Sequence, residues 1–219
     1  MATARHDNRS QLAETVETLV ESDGTAGAPH AAAMMRPDAP MRDLADAVHA
    51  LAVIHGAFPG IVDHAQGGAL ERPVAGWLAV AAYEVARERK LLAQLTATVG
   101  PRPSTPGQSA AEAAVAAQRH ALTMLARSDR NGCALGTAIA FVLDWGAVRR
   151  VLENGAARCG LEVEHRFDGF SAASHALLAE LSPTPSVERA ITFGAQQMLA
   201  QHRGLWGLLE ARAAARRAS

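Results

Sequence analysis

Little in this chain of 219 residues belongs to the usual functional signatures, and the absences come first. There are two cysteines, Cys133 and Cys159, and no Cys-x-x-Cys pair. One stretch of helical pattern separates them by roughly 39 Å if unbroken, beyond the reach of a disulfide. A disulfide scaffold is therefore excluded, and a reducing, cytoplasmic compartment is expected. Formal net charge is only −1, so no global field draws in nucleic-acid phosphates or an anionic membrane, and neither is an expected partner. Aromatic residues make up 4%. Long apolar runs are missing too: the most apolar window, Asn131 to Leu143, meets Asp144 after 13 residues, short of the ~20 that span a bilayer. Met1 to Val20 is polar and lacks the apolar segment of a secretion signal. Lysine occurs once, at Lys90, and the other basic residues are arginine. With alanine at 49 positions, that reads as a GC-rich, bacterial-like composition.

Alanine is the strongest helix former, and its abundance predicts helix packed closely on helix. Ser10 to Val20, with apolar residues at Leu12, Val16, Leu19 and Val20, reads as a short amphipathic arm. Asp23 to Pro40, rich in Gly, Ala and Pro, reads as a linker, so residues 1–40 form an arm and flexible linker and 41–219 a helical bundle domain. Leu44, Val48, Leu51, His55, Phe58 and Val62 follow a 4,3,4,3,4 spacing on a helix from Met41 that Pro59-Gly60 should kink or end. Gln66-Gly67-Gly68 turns into a second helix, Glu71 to Val99, whose stripe is Val74, Leu78, Ala81, Val85, Glu88, Leu92 and Leu95. A third runs from Ser109 to Arg127. A fourth, Cys133 to Cys159, is apolar on nearly every face and reads as the central helix. Gly160 to Asp168 is an irregular connection whose Leu/Val/Phe alternation also suits a short strand. Helices from Gly169 to Leu181 and Ser186 to Arg217 complete an all-α antiparallel bundle.

A stripe of this kind faces other helices, so polar residues on it need partners. His55, Glu88, Gln118, Asp144 and Gln201 hold such positions, and His120 and His202 lie on flanks that reach inward. One reading makes His55, Glu88, His120 and Asp144 metal ligands for iron, manganese or zinc in an oxidoreductase-like or metal-handling site. The plainer reading, which we prefer, makes them buried ion pairs and hydrogen bonds that fix helix register. A haem or apolar-cofactor site on His55 or His202 is a third. The second helix also presents Trp77, Tyr83 and Glu84 beside Arg87 and Arg89, residue types that anchor interfaces, against the alternative of a solvated face. Cys133, in Gly132-Cys-Ala-Leu-Gly136, reads as a small core residue rather than a nucleophile, and Gly132-x-x-x-Gly136 as a close helix contact. Asp63-His64 and His175 read as surface or hydrogen-bonded groups, Pro103-Ser-Thr-Pro-Gly107 as a turn, and Arg212 to Arg217 as a solvated helix end.

The four long helices Met41–Val62, Glu71–Val99, Ser109–Arg127 and Cys133–Cys159 resemble the four-helix core of the ferritin-like superfamily, with additional N- and C-terminal helices around it. That resemblance implies a Glu from each of two helices and a Glu-x-x-His from each of the others. The chain departs from this pattern. Its one Glu-x-x-His, Glu162 to His165, lies in the irregular connection, Asp46-x-x-His49 is the nearest helical variant, and no His follows Glu84 or Glu88 at the required spacing. The resemblance therefore implies a non-catalytic, cofactor-free bundle acting through self-association as a homodimer, a protein partner or a small apolar ligand.

Overall fold

A computed structural model describes residues 2–67, 71–163, 165, 167 and 171–218. The regular elements among them are all helical: α1 (Ala2–Asp23), α2 (Pro29–Met34), α3 (Met41–His55), α4 (Ile61–Ala65), α5 (Arg72–Thr98), α6 (Gln108–Ala126), α7 (Cys133–Arg158), α8 (Ser171–Glu180) and α9 (Pro185–Ala218). The expected break at Pro59-Gly60 separates α3 from α4, because proline lacks the N–H that a continuing helix requires. Gly68 of the expected turn and the start of the helix expected from Gly169 lie outside the described residues, as do Glu164, Arg166, Asp168 and Phe170 of the connection before it. No described helix is long and apolar enough to cross a membrane.

The uniformly apolar α7 is surrounded, as its composition predicts, and Ile139, Phe141, Trp145, Val148, Val151 and Leu152 are buried. Its most extensive neighbour is α9. Gly132 lies beside Val187, Gly136 beside Ile191, and Asp144 meets His202, so residue numbers rise together and the two helices run parallel. Pairing of Asp43 with Arg216, Asp46 with Arg212 and His55 with His202 sets α3 antiparallel to α9. Gln108 with Arg212 and Gln118 with Gln201 do the same for α6. The C-terminal helix, placed by its sequence outside a four-helix core, is thus packed along the central one.

The α7–α9 crossing is close because glycine sits on both sides of it. A Cβ at Gly136 would stand 2.0 Å from the Ile191 carbonyl oxygen, and one at Gly194 would stand 2.2 Å from that of Cys133. Gly132-x-x-x-Gly136 therefore serves the helix contact its spacing suggested, and Cys133 is buried within it. The segment 23–40, read as a linker, instead carries a 3-10 turn at Thr25–Gly27 and the helix α2, with Thr25, His30, Ala31, Met34 and Ala39 buried. Its elements, three and six residues long, are shorter than the roughly 11–18 residues over which a helical period can be read, which is why the pattern did not reveal them.

Candidate functional site

Two features combine buried polar chemistry with shape. The first is a chain of polar groups through the core. Asp144, on α7, is 1% exposed. Its Oδ1 accepts the Thr25 backbone N–H at 2.6 Å, and its Oδ2 accepts the Thr25 hydroxyl at 2.6 Å and His202 Nδ1–H at 2.6 Å. The Thr25 hydroxyl oxygen in turn accepts Trp206 Nε1–H at 3.0 Å. His202 Nε2 lies 2.9 Å from His55 Nε2, with one hydrogen between them. This carboxylate fixes the orientation of His202, and His202 fixes that of His55. His55 also packs edge-on to Trp145, with ring centroids 5.4 Å apart, and lies against Phe141.

Trp145 links this chain to a second group. Its Nε1–H donates to Glu88 Oε2 at 2.9 Å. Glu88 Oε1 takes Arg149 Nη1 and, at 2.7 Å, His165 Nε2, while Arg149 Nη2 donates to the His165 carbonyl at 2.7 Å. Glu88, on α5, is therefore half of a buried ion pair with Arg149 of α7.

The residues named from sequence divide accordingly. His55, Asp144 and His202 come together, and Glu88 lies across Trp145 from them. His120 is exposed on α6 and joins neither group. Among the described residues no three His, Cys, Asp or Glu side chains are grouped as metal ligands would be. On α5, Trp77 is buried and donates to Ser174 Oγ of α8 at 3.2 Å, so it does not share an exposed face with Tyr83. Tyr83 is exposed, and Glu84 pairs with Arg87 beside it.

Burial, and then the neighbouring His202, hold His55 well below the usual imidazole value of 6.5. The folded value lies below the unfolded one, so as pH falls the unfolded chain takes up the proton first. Stability is then full above 6.5 and declines below it until the folded value is reached. Urea midpoints measured between about pH 8 and pH 5 should fall on acidification, and fall less in His55→Gln. A midpoint that rises on acidification, or a slope unchanged by the substitution, contradicts a buried neutral ring at position 55.

The second feature is a groove of about 320 Å³ between α3, α6 and α9. Ala50, Val53, Ala111, Val115, Leu208 and Leu209 form its apolar walls, and Asp46, Arg102, Gln108, Glu112 and Arg212 gather at one end. That end adjoins an ion-pair cluster. Arg212 donates from Nε and Nη2 to the two oxygens of Asp46 at 2.8 and 2.9 Å, a side-on bidentate pair. Arg216 donates to Asp43 at 2.7 Å and to Asp46 at 2.6 Å, and its Nη1 also reaches Thr105 Oγ1 at 2.8 Å. Arg212 and Arg216 are buried, which corrects the expectation of a solvated helix end; only Arg217 beside them is exposed. The signal was present in the spacing. Met198, His202, Leu205, Leu209, Arg212 and Arg216 continue one 4,3,4,3,4 stripe, and Asp43 and Asp46, three apart, share a face of α3. Thr25 carried no comparable signal, since nothing periodic surrounds it.

Residues 20–217 match a family described as a family of unknown function (DUF6975), and the chain belongs to that family. No curated protein and no solved structure matches it.

Proposed function

We propose that this protein is a non-catalytic, ferritin-like helical bundle that holds a small, largely apolar ligand in the groove between α3, α6 and α9. The observation that carries the reading is the groove itself: its volume of about 320 Å³ falls in the ~300–1,000 Å³ range of small-molecule sites, with apolar walls and polar groups confined to one end. Two of its walls, α3 and α9, are held in register by the Asp46–Arg212 and Asp43–Arg216 ion pairs, and Gln108 joins α6 to Arg212 by a hydrogen bond, so the cavity is preformed. Support for a non-catalytic role comes from the burial of Asp144, His202 and His55, none of which lines the groove. The ferritin-like part of this reading rests on the long helices alone and carries no di-iron ligands with it, because the chain lacks the paired Glu-x-x-His motifs. A second reading, self-association or a protein partner on α5, is favoured by the exposure of Val80 and Tyr83 three residues apart on that helix.

The test is a fluorescence titration with N-phenylnaphthylamine, a neutral apolar dye that brightens when it leaves water. Saturable binding is expected, weakened about tenfold or more in Ala111→Phe, which fills the groove from α6. Circular dichroism checks that the variant keeps its helices. Absence of saturable binding, or equal binding by the folded variant, rejects the groove as a ligand site.

A further inference from the structure

The charged lining of the groove is balanced, with Asp46 and Glu112 set against Arg102 and Arg212. Not all four can meet a ligand. Arg212 is only 7% exposed; its Nε and Nη2 hold Asp46, Nη2 also donates to Gln108 Oε1 at 3.0 Å, and Nη1 is buried. Asp46 is buried too and accepts from both Arg212 and Arg216. Gln108 is engaged on both sides, because its Nε2 donates to Glu112 Oε1 at 2.7 Å. That leaves the pair at the rim. Arg102 Nη1 donates to Glu112 Oε1 at 2.9 Å, and the two side chains are 31% and 51% exposed. The hydrogen bond from Gln108, and then that from Arg102, hold the Glu112 carboxyl below its usual value, so it is an anion at neutral pH. Among the described residues Arg102 Nη2 and Glu112 Oε2 hold no hydrogen bond, so the mouth presents an open donor beside an open acceptor.

A ligand that brings a net charge to this end meets pairs that already neutralise each other, and a charge leaving water without a counterpart is disfavoured. A ligand with no polar head leaves the open donor and acceptor against hydrocarbon, which costs them their hydration. From the balanced lining, the open donor and acceptor and the apolar walls, we infer that the groove takes an uncharged amphiphile whose head both accepts and donates a hydrogen bond, the primary amide being its simplest planar form. The amide carbonyl accepts from Arg102 and its NH2 donates to Glu112, each a charge-assisted bond, while the hydrocarbon runs along Ala50, Val53, Val115 and Leu208. The inference rests on the groove reading above and adds the class of its ligand.

Displacement of bound N-phenylnaphthylamine from the full chain by octanamide, 2-nonanone and octanoate separates the two ideas, because the three share a heptyl chain and a head of the same shape. The ketone accepts but cannot donate, and octanoate carries a charge. Octanamide should displace the dye at a concentration below that of 2-nonanone and about tenfold or more below that of octanoate. A slot that reads only hydrocarbon would instead rank the ketone first, since it is the least costly of the three to take out of water. Glu112→Ala, at an exposed helix position, should keep the fold, as circular dichroism checks, and should remove the acceptor while leaving one guanidinium uncompensated. In that variant octanoate should overtake octanamide. Ketone or octanoate ranked first in the wild type, or a ranking unchanged in the folded variant, overturns the uncharged donor–acceptor head while leaving the groove; the wild-type ranking decides alone if the variant does not fold. Dye that binds but yields to none of the three overturns it as well. Failure of the dye to bind at all removes the groove, and the head group with it.

Discussion

Asp144→Ala is expected to lower stability by about 3–5 kcal/mol, a large part of the ~5–15 kcal/mol that holds a typical domain together. The substitution removes one acceptor group and strands three donors: the Thr25 backbone N–H, the Thr25 hydroxyl and His202 Nδ1–H. All sit in residues that are 0–1% exposed, where water cannot replace the lost partner without opening the core. The loss should spread, because Thr25 anchors the turn between α1 and α2 and His202 orients His55. Urea denaturation of the purified variant measures the effect. A midpoint within about 1 kcal/mol of wild type would mean that the carboxylate does not hold these elements together.

Gly136→Ala should cost about 1–3 kcal/mol or more, through overpacking rather than through a lost bond. The atom it meets, the Ile191 carbonyl oxygen at 2.0 Å, is backbone and cannot rotate away, so α7 and α9 must separate. Gly194→Ala forces the same separation from the other side, against Cys133. The two substitutions together should therefore cost less than the sum of each alone. Gly146, also on α7, supplies the control. A Cβ there meets nothing within 4 Å, so Gly146→Ala should be neutral or stabilising by about 0.5–1 kcal/mol. Thermal melts of the three single variants and the double would decide it. Equal behaviour of Gly136→Ala and Gly146→Ala would mean that the crossing is not as tight as its backbone distances indicate.

Much of the helical outline was legible from periodicity. Leu44, Val48 and Leu51, and likewise Val74, Leu78 and Val85, are buried where their spacing put them, because a helix that hides one stripe must repeat its apolar residues near every 3.6 positions. The same logic picked out His55, Glu88 and Asp144 as buried polar groups before any partner was known. It missed Arg212 and Arg216 because arginines near a helix C-terminus ordinarily suit the helix dipole and water. It also placed Trp77 on an exposed face, where α8 covers it.

The sequence by itself determined where the long helices lie, most of the faces they bury and that several polar groups must find partners inside. Those properties are local: they follow from propensity and from the geometry of one helix. Only the tertiary structure decided who the partners are. Thr25 meets Asp144 across 119 positions, and Glu88 meets Arg149 across 61, because hydrogen bonds act over about 3 Å and the register between packed helices selects the pair. Parallel packing of α7 on α9, made possible by Gly136 and Gly194, brings Asp144 to His202. The groove likewise belongs to no single segment, since α3, α6 and α9 enclose it only once the α3–α9 ion pairs, the Gln108–Arg212 hydrogen bond and packing have fixed their spacing.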